Sequence, residues 1–412
     1  MNPEAIHKRI QAALGGALPG KIGVAVSGGS DSLALLHLMA GWAGPEIAAV
    51  TVDHGLRPAS AREAEFVAKV CASLNIRHTT LVWEAWDGQG NLQDQARRAR
   101  YGLIADWAGA EAIAHVALGH TIDDQAETFL MRLARSAGID GLSAMPAARD
   151  WGGIVWLRPL LETSRSALRD YLKRRNVVWI DDPSNEDEGS ERVRARHALA
   201  SLAPLGLGAE QIARSARNLA EARGALAAQT VQAADAIAAT DAGDVILDLG
   251  GLSHQPAEIR RRLVGGALAW VGSAEYGPRG AALHGFVDRL MAGEDATLHG
   301  CLALVGDGKA RICREYEAVR NLQSAAHETW DSRWVFRGGP AGEGVIRALG
   351  PDGLRDCPDW RETGRPRAAL LASAALWQGQ NLVSAPAAGL AGGWRLEIAR
   401  ECPDFKTFLL SR

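Results

Sequence analysis

Ser27-Gly28-Gly29-Ser30-Asp31-Ser32 is the stretch that decides the fold. It follows a short apolar run, Ile22-Gly23-Val24-Ala25-Val26, and leads into a helical pattern opened by Leu33-Ala34-Leu35-Leu36. Two adjacent glycines let the backbone turn sharply and aim successive N–H groups into one concavity, which suits an oligophosphate. Ser30 and Ser32 add hydroxyl donors, and the helix that starts here points its positive dipole end at the same spot. Asp31 opposes an anion unless a divalent cation such as Mg²⁺ bridges it to the phosphates. No lysine follows the glycines, which rules out the loop G-x-x-x-x-G-K-[ST].

Working outward, the first half alternates two patterns. Residues 22–26, 47–52, 78–83 and 113–118 are apolar runs with strand character, and residues 31–41, 60–74 and 91–107 between them have helical apolar spacing. This β-α order predicts an α/β fold: a Rossmann-like parallel sheet with helices on both faces and ligands at the carboxyl ends of the strands. Past residue 200 the texture changes. An Ala-rich helical stretch at 208–240 is followed by a strand run at 245–249, a helix at 259–271 carrying Arg260, Arg261 and Arg262, and short strand runs at 302–305 and 394–398. The expected domains are a catalytic one at 1–205, a mainly helical one at 206–325 and a smaller α+β region at 326–412.

Composition sets the bounds. The 412 residues, 47% hydrophobic and 23% charged, suit a soluble globular chain of two or three domains. A net charge of −3 confines any nucleic-acid surface to a local patch. The five cysteines, Cys71, Cys301, Cys313, Cys357 and Cys402, form no C-x-x-C pair, which fits a cytoplasmic location and gives no zinc or iron–sulfur spacing. The first ten residues read as a short amphipathic helix without an apolar signal core, and no apolar run approaches the about 18 residues that span a bilayer.

Four more constellations carry chemistry. Val52-Asp53-His54-Gly55-Leu56-Arg57-Pro58 ends the second strand, where an acid such as Asp53 can meet a ribose or base. In Asn91-Leu92-Gln93-Asp94-Gln95-Ala96-Arg97-Arg98-Ala99-Arg100-Tyr101, with Asn91 as N-cap, Arg97, Arg100 and Tyr101 share a helical face able to grip a phosphate or carboxylate. Leu118-Gly119-His120-Thr121-Ile122-Asp123-Asp124-Gln125-Ala126-Glu127-Thr128 puts Asp124 and Glu127 three apart at the front of a helix, with His120 a turn earlier. Two carboxylates and an imidazole there can hold an ammonium group or help bind a metal; they also complement a helix dipole. Phe129, Leu130, Met131 and Leu133 look like the buried face of that helix, with Arg132 and Arg135 turned to solvent or RNA. The fourth runs from Leu157-Arg158-Pro159-Leu160-Leu161 through Trp179-Ile180-Asp181-Asp182-Pro183-Ser184-Asn185 to Arg192-Val193-Arg194-Ala195-Arg196, an acidic turn that gives way to alternating arginines.

The first loop resembles the SGGxDS pyrophosphate loop of the N-type ATP pyrophosphatases. Together, SGGSDS at 27–32, VDHGLRP at 52–58, NLQDQARRARY at 91–101, LGHTIDDQAET at 118–128, RPLL at 158–161 and WIDDPSN at 179–185 resemble the bacterial tRNA(Ile)-lysidine synthetases over residues 20–200. That resemblance implies ATP and Mg²⁺, L-lysine, and an isoleucine tRNA with a CAU anticodon. The wobble cytidine is adenylated on its base oxygen, and lysine then displaces AMP to give lysidine. It also implies that Ser27, Gly28, Gly29, Ser30, Asp31 and Ser32 cradle the triphosphate, with Asp31 near Mg²⁺. Arg97 or Arg100 with Asp124 and Glu127 would surround lysine, and His120 would lie near the reacting phosphate. The chain departs from the pattern at Thr121, where a second His is common, at Gln93 for Glu and at Val193 for Asn. A pyrophosphate-loop tRNA thiolase, which normally uses reactive or cluster-binding cysteines, and a non-catalytic nucleotide-binding protein of related fold are the alternatives.

Overall fold

The structure, a computed structural model, describes all residues except 1–2, 18, 56–58, 84–91, 182–188, 275–276, 340–343, 400–401 and 411–412, and the side chains of Gln93 and Asp94. Leu56-Arg57-Pro58, the N-cap Asn91 and the turn Asp182-Pro183-Ser184-Asn185 therefore lie outside the described residues. The chain divides into two compact units, Met1–Arg223 and Gly224–Arg412.

The first unit is built on a six-stranded sheet: β1 (Lys21–Ala25), β2 (Glu46–Asp53), β3 (Arg77–Val82), β4 (His115–Ala117), β5 (Ala148–Trp151) and β6 (Ile154–Leu157), in the order β3-β2-β1-β4-β6-β5. All neighbouring pairs are parallel except the β5–β6 hairpin at one edge. The four anticipated strands are β1 to β4, and the mostly parallel sheet flanked by helices is the expected class. Ile22 and Val24 of β1 are fully buried between layers, and Leu33, Leu35, Leu36 and Leu38 of α2 (Ser30–Ala40) pack with them; α1 (Pro3–Ala13) adds Ile6 and Ile10. On the opposite face, Ile104 and Trp107 of α4 (Leu92–Ala110) join Val50, Val116 and Trp156; α3 (Ser60–Ser73) contributes Val67 and Cys71 to the first core. The strand order reverses direction between β1 and β4, so the turns after these two strands open into one crevice at their carboxyl ends.

Beyond β4 come α5 (Ile122–Leu133), the short α6 (Ile139–Leu142), α7 (Arg165–Lys173) and α8 (Glu191–Leu202). The buried residues of α5 are Ile122, Asp124, Gln125, Ala126 and Glu127, whereas Phe129, Leu130 and Met131 are half-buried and Leu133 is exposed. The core-like reading of that helix is thus inverted: its sealed part is the polar first turn. Arg132 donates to the Gly141 carbonyl at 2.8 Å, whereas Arg135 is turned to solvent as anticipated and pairs there with Glu191.

The long helix α9 (Ala209–Ile237) crosses the division. In the second unit, β7 (Ala238–Asp241), β8 (Asp244–Asp248), β9 (Ala296–Leu298), β10 (Cys301–Gly306) and β11 (Lys309–Arg314) form an antiparallel sheet in the order β7-β8-β11-β10-β9. The helices Ala257–Val271 and Gly280–Met291 cover it, and Phe405 and Leu409 of the helix Phe405–Leu410 belong to the same core. A four-stranded and a two-stranded sheet make up the remainder. The strand runs expected at 245–249 and 302–305 correspond to β8 and β10. Arg261 and Arg262 both bond Glu258, and Arg260 bonds the Ser253 and Gln255 carbonyls, so this arginine run is engaged within the unit.

Candidate active site

The crevice is assembled from two turns pressed together. After β1, Gly28 adopts φ +87°, a region that favours glycine, and its carbonyl accepts from Ile180 N–H at 3.0 Å. Gly29 is the N-cap of α2 and no side chain caps that helix, leaving its first-turn N–H groups aimed at the crevice. Ser32 Oγ ties the loop closed, accepting from Ser27 N–H at 3.1 Å and donating to the Gly29 carbonyl at 3.1 Å. Beneath it, Thr51 Oγ1 donates to the Val26 carbonyl at 2.8 Å, fixing the strand end from which the loop departs. The turn after β4 lies against the start of α2: a Cβ on Gly119 would come 3.1 Å from the Asp31 backbone and Ser32 Cα, so a larger residue here requires the two turns to move apart by a few tenths of an ångström. A glycine turn followed by uncapped helix N–H groups is the kind of donor set that phosphate oxygens accept from. Asp31 offers a hard oxygen ligand of the kind Mg²⁺ takes together with phosphate oxygens. No cluster of three or more His, Cys, Asp or Glu able to hold a metal by itself occurs among the described residues.

The acids of α5 sit beside this loop. Thr121 is the N-cap of α5, and its hydroxyl and backbone N–H both bond Asp124 Oδ2 at 2.8 Å in a capping box. The Thr at this position thus has a structural task that holds Asp124 by one oxygen and leaves the other for partners. Asp124 Oδ1 faces Arg165 at 3.5 Å and Arg192 at 3.8 Å. Glu127, only 1% exposed, receives Arg196 Nε at 3.1 Å and Arg165 Nη1 at 3.3 Å on Oε1, and Arg192 Nε lies 3.6 Å from Oε2. Arg165 reaches further, placing Nε 2.9 Å from Asp31 Oδ2. Three carboxylates (Asp31, Asp124, Glu127) therefore face three guanidiniums (Arg165, Arg192, Arg196), and Arg165 alone touches all three acids.

Electrostatics follow from this packing. Burial pushes the Asp31 carboxyl above its usual range, with Arg165 acting against that, and Ser30 donates to its other oxygen. Burial also opposes the charge on Asp124, yet Arg192 and Arg165 hold its pKa below normal. For Arg165 burial disfavours the cation, and the three carboxylates override it and raise its pKa. The His120 ring, with Nδ1 sealed from solvent and no hydrogen bond, is pushed down to about 3 by burial, with Arg158, Arg192 and Arg100 adding to the effect and Asp124 opposing it. It is a neutral imidazole at physiological pH.

The remaining anticipated residues have partners of their own. Arg97 is exposed and Arg100 half-buried; both lie over the Tyr101 ring at 5.5 and 5.6 Å, and the guanidiniums on Asp124 and Glu127 come from α7 and α8 instead. Arg100 is still near enough to His120 to depress it. Asp53 accepts from Gly55 N–H at 2.9 Å, and this bond and one from Ser60 keep its pKa low. Arg192 and Arg196, four apart on α8, share the face toward Glu127 while Val193 is buried. Arg165 escaped sequence reasoning. Its signal is a cation in the first turn of a helix capped by Ser164, where the dipole disfavours positive charge unless carboxylates face it. Cys71, buried on α3 and pushed up to about 11 by burial, supplies no reactive thiolate.

Residues 3–203 match the PP-loop domain family. Over 396 residues the chain is 50% identical to the tRNA(Ile)-lysidine synthase of Ruegeria pomeroyi, covering 95% of this chain and 94% of that one. It is 36% identical over 393 residues to the tRNA(Ile)-lysidine synthase of Brucella canis, covering 88% and 85%. A third, from Wolbachia pipientis wMel, is 36% identical over 327 residues, 76% of each chain.

Proposed function

The chain belongs to the tRNA(Ile)-lysidine synthase family, and from that premise we propose that it uses ATP to join L-lysine to the wobble cytidine of a CAU-anticodon tRNA(Ile). The observation that supports this most is the junction at Arg165, where one side chain touches both the phosphate-loop acid Asp31 and the acid pair Asp124/Glu127. A nucleotide triphosphate and an amino-acid ammonium group would then lie side by side.

In the first step the cytidine base oxygen attacks the α-phosphorus of ATP, an O–P bond forms and pyrophosphate leaves. Bound Mg²⁺, held through Asp31, would neutralise charge on the leaving phosphates. The loop N–H groups and the Ser27 hydroxyl hold those oxygens, Ser32 braces the loop through the Gly29 carbonyl, Ser30 steadies Asp31, and the uncapped start of α2 adds its positive dipole end. In the second step the neutral side-chain amine of lysine attacks the activated base carbon and AMP departs with the C–O bond electrons. Asp124 and Glu127 hold the α-ammonium, and an arginine of the cluster takes the α-carboxylate. His120, uncharged, is able to contact the phosphate region without adding a cation. The second unit, together with Arg214 and Arg217 exposed on α9, would supply tRNA contacts.

The test is mass spectrometry of nucleosides after incubation with ATP, isotopically labelled lysine and total tRNA. Labelled lysidine, formed with AMP and pyrophosphate, is the expected product; a thiolated nucleoside or no modified nucleoside refutes the assignment.

A further inference from the structure

The balance of three carboxylates against three guanidiniums has an energetic consequence for lysine. An ammonium group entering between Asp124 and Glu127 competes for carboxylate oxygens already taken: Glu127, 1% exposed, has Arg165 and Arg196 on Oε1 and Arg192 near Oε2, and Asp124 Oδ1 faces Arg165 and Arg192. The α-carboxylate can occupy one arginine of the cluster, but the ammonium reaches the acids only where a guanidinium withdraws from them. Arg192 and Arg196 pair with the α5 acids. Arg165 also pairs with Asp31 at 2.9 Å, at the threshold of the phosphate cradle, and its planar fork suits phosphate oxygens.

Building on the lysine-site reading above, we propose that Arg165 is an exchange counterion that makes lysine binding depend on the nucleotide. It neutralises the acid pair until a triphosphate arrives, then turns onto the phosphate oxygens and leaves Asp124 and Glu127 to the ammonium. ATP with its Mg²⁺ takes Asp31 away from the guanidinium and supplies new anionic oxygens in the same place. Lysine therefore enters a site that the bound nucleotide has prepared, and its α-ammonium competes poorly for the acids before the nucleotide arrives. Arg165 is a positioning residue in this scheme. Because coupling of two ligands is reciprocal, lysine must strengthen nucleotide binding by the same factor.

The experiment is isothermal titration of the full chain with L-lysine, with and without a saturating α,β-methylene ATP analogue and Mg²⁺, and of the analogue with and without lysine. The wild-type chain is expected to bind lysine at least about tenfold more tightly with the analogue present, and the reverse titration should give the same factor. Arg165→Gln should bind lysine more tightly than wild type without nucleotide and bring the factor close to one. Arg165→Lys keeps the charge and guards against misfolding; a single ammonium cannot span three acids, so its factor should fall too. A merely structural arginine would weaken both ligands without changing the factor, and wild-type coupling in Arg165→Lys overturns the exchange. Glu127→Gln separates the two claims. If it binds lysine as wild type does, the lysine-site reading fails and the exchange with it. If it loses lysine while Arg165→Lys keeps full coupling, only the exchange fails.

Discussion

Replacing Glu127 with Gln keeps the volume and one acceptor oxygen while removing the charge. In the folded chain, Arg165, Arg192 and Arg196 would then face only Asp31 and Asp124. Breaking a fully buried pair from one side costs about 3–5 kcal/mol. Arg192 and Arg196 are 40% and 37% exposed and can turn toward water, which reduces the expected loss to about 2–3 kcal/mol. For a unit of 223 residues this lowers the melting midpoint by about 4–12 °C, leaving the protein folded at assay temperature if the wild type melts in the usual mesophile range. The functional loss is larger. Taking one of two carboxylates from a buried ammonium site costs about 2–5 kcal/mol, or roughly 30- to several-thousand-fold in lysine affinity. Pyrophosphate release with ATP and tRNA should persist, because the triphosphate cradle belongs to the turn after β1. Adenylated tRNA should accumulate, with a steeply raised lysine requirement. Three assays decide it: scanning fluorimetry, equilibrium dialysis of labelled lysine, and pyrophosphate release. A variant that binds lysine normally yet releases no pyrophosphate would refute the reasoning and assign Glu127 to the nucleotide.

Asp31→Asn should abolish pyrophosphate release while circular dichroism stays native. Asp31 and Arg165 are only 19% and 20% exposed, so a destabilisation of about 1–3 kcal/mol should accompany it, more than a loop carboxylate in open solvent would give; retained activity would remove Asp31 from the metal role. Gly28→Ala meets Ile180 Cδ1 at 2.9 Å, a flexible tip that can yield, so the cost of about 1–3 kcal/mol comes mainly from φ +87°; titration should show ATP affinity falling about tenfold or more. His120 has a folded pKa far below its unfolded one, so between pH 6.5 and about 3 the unfolded chain takes up a proton that the folded chain does not, and stability falls as pH falls. Urea unfolding of His120→Asn at pH 7 and pH 5 should show a smaller acid loss than wild type, by about 1 kcal/mol given the half-buried ring; an identical loss would mean that His120 is not the group responsible.

The sheet was legible because β1 to β4 are short apolar runs alternating with helices, and their order fixes where ligands bind. The β5–β6 hairpin went unread although Gly152-Gly153, both at positive φ, is the two-residue hairpin signal. The phosphate loop and the acids Asp124 and Glu127 could be found by position, each directly after a buried strand. Their burial could not: acids in a first helical turn look like dipole complements on a surface, and only the packing of α7 and α8 against them shows otherwise. The guanidinium partners were the hardest part. Arg165, Arg192 and Arg196 lie 38 to 69 residues from Glu127, and no local spacing connects an arginine to a carboxylate over that distance. The short strands of the second unit were partly missed for the same reason, since their pairing is tertiary.

The order of synthesis gives the second unit's core a different significance. Phe405 and Leu409 are buried with Val245, Leu263 and Ile312, and Trp270 donates to the Pro403 carbonyl at 2.9 Å. On a ribosome, the sheet begun at residue 238 and the helices Ala257–Val271 and Gly280–Met291 that cover it lack this last piece of their core until residues 405–409 are made. A premature stop just ahead of residue 405 would take Phe405 and Leu409 out of a core otherwise built from residues 234–312, so the gap opens far upstream of the cut.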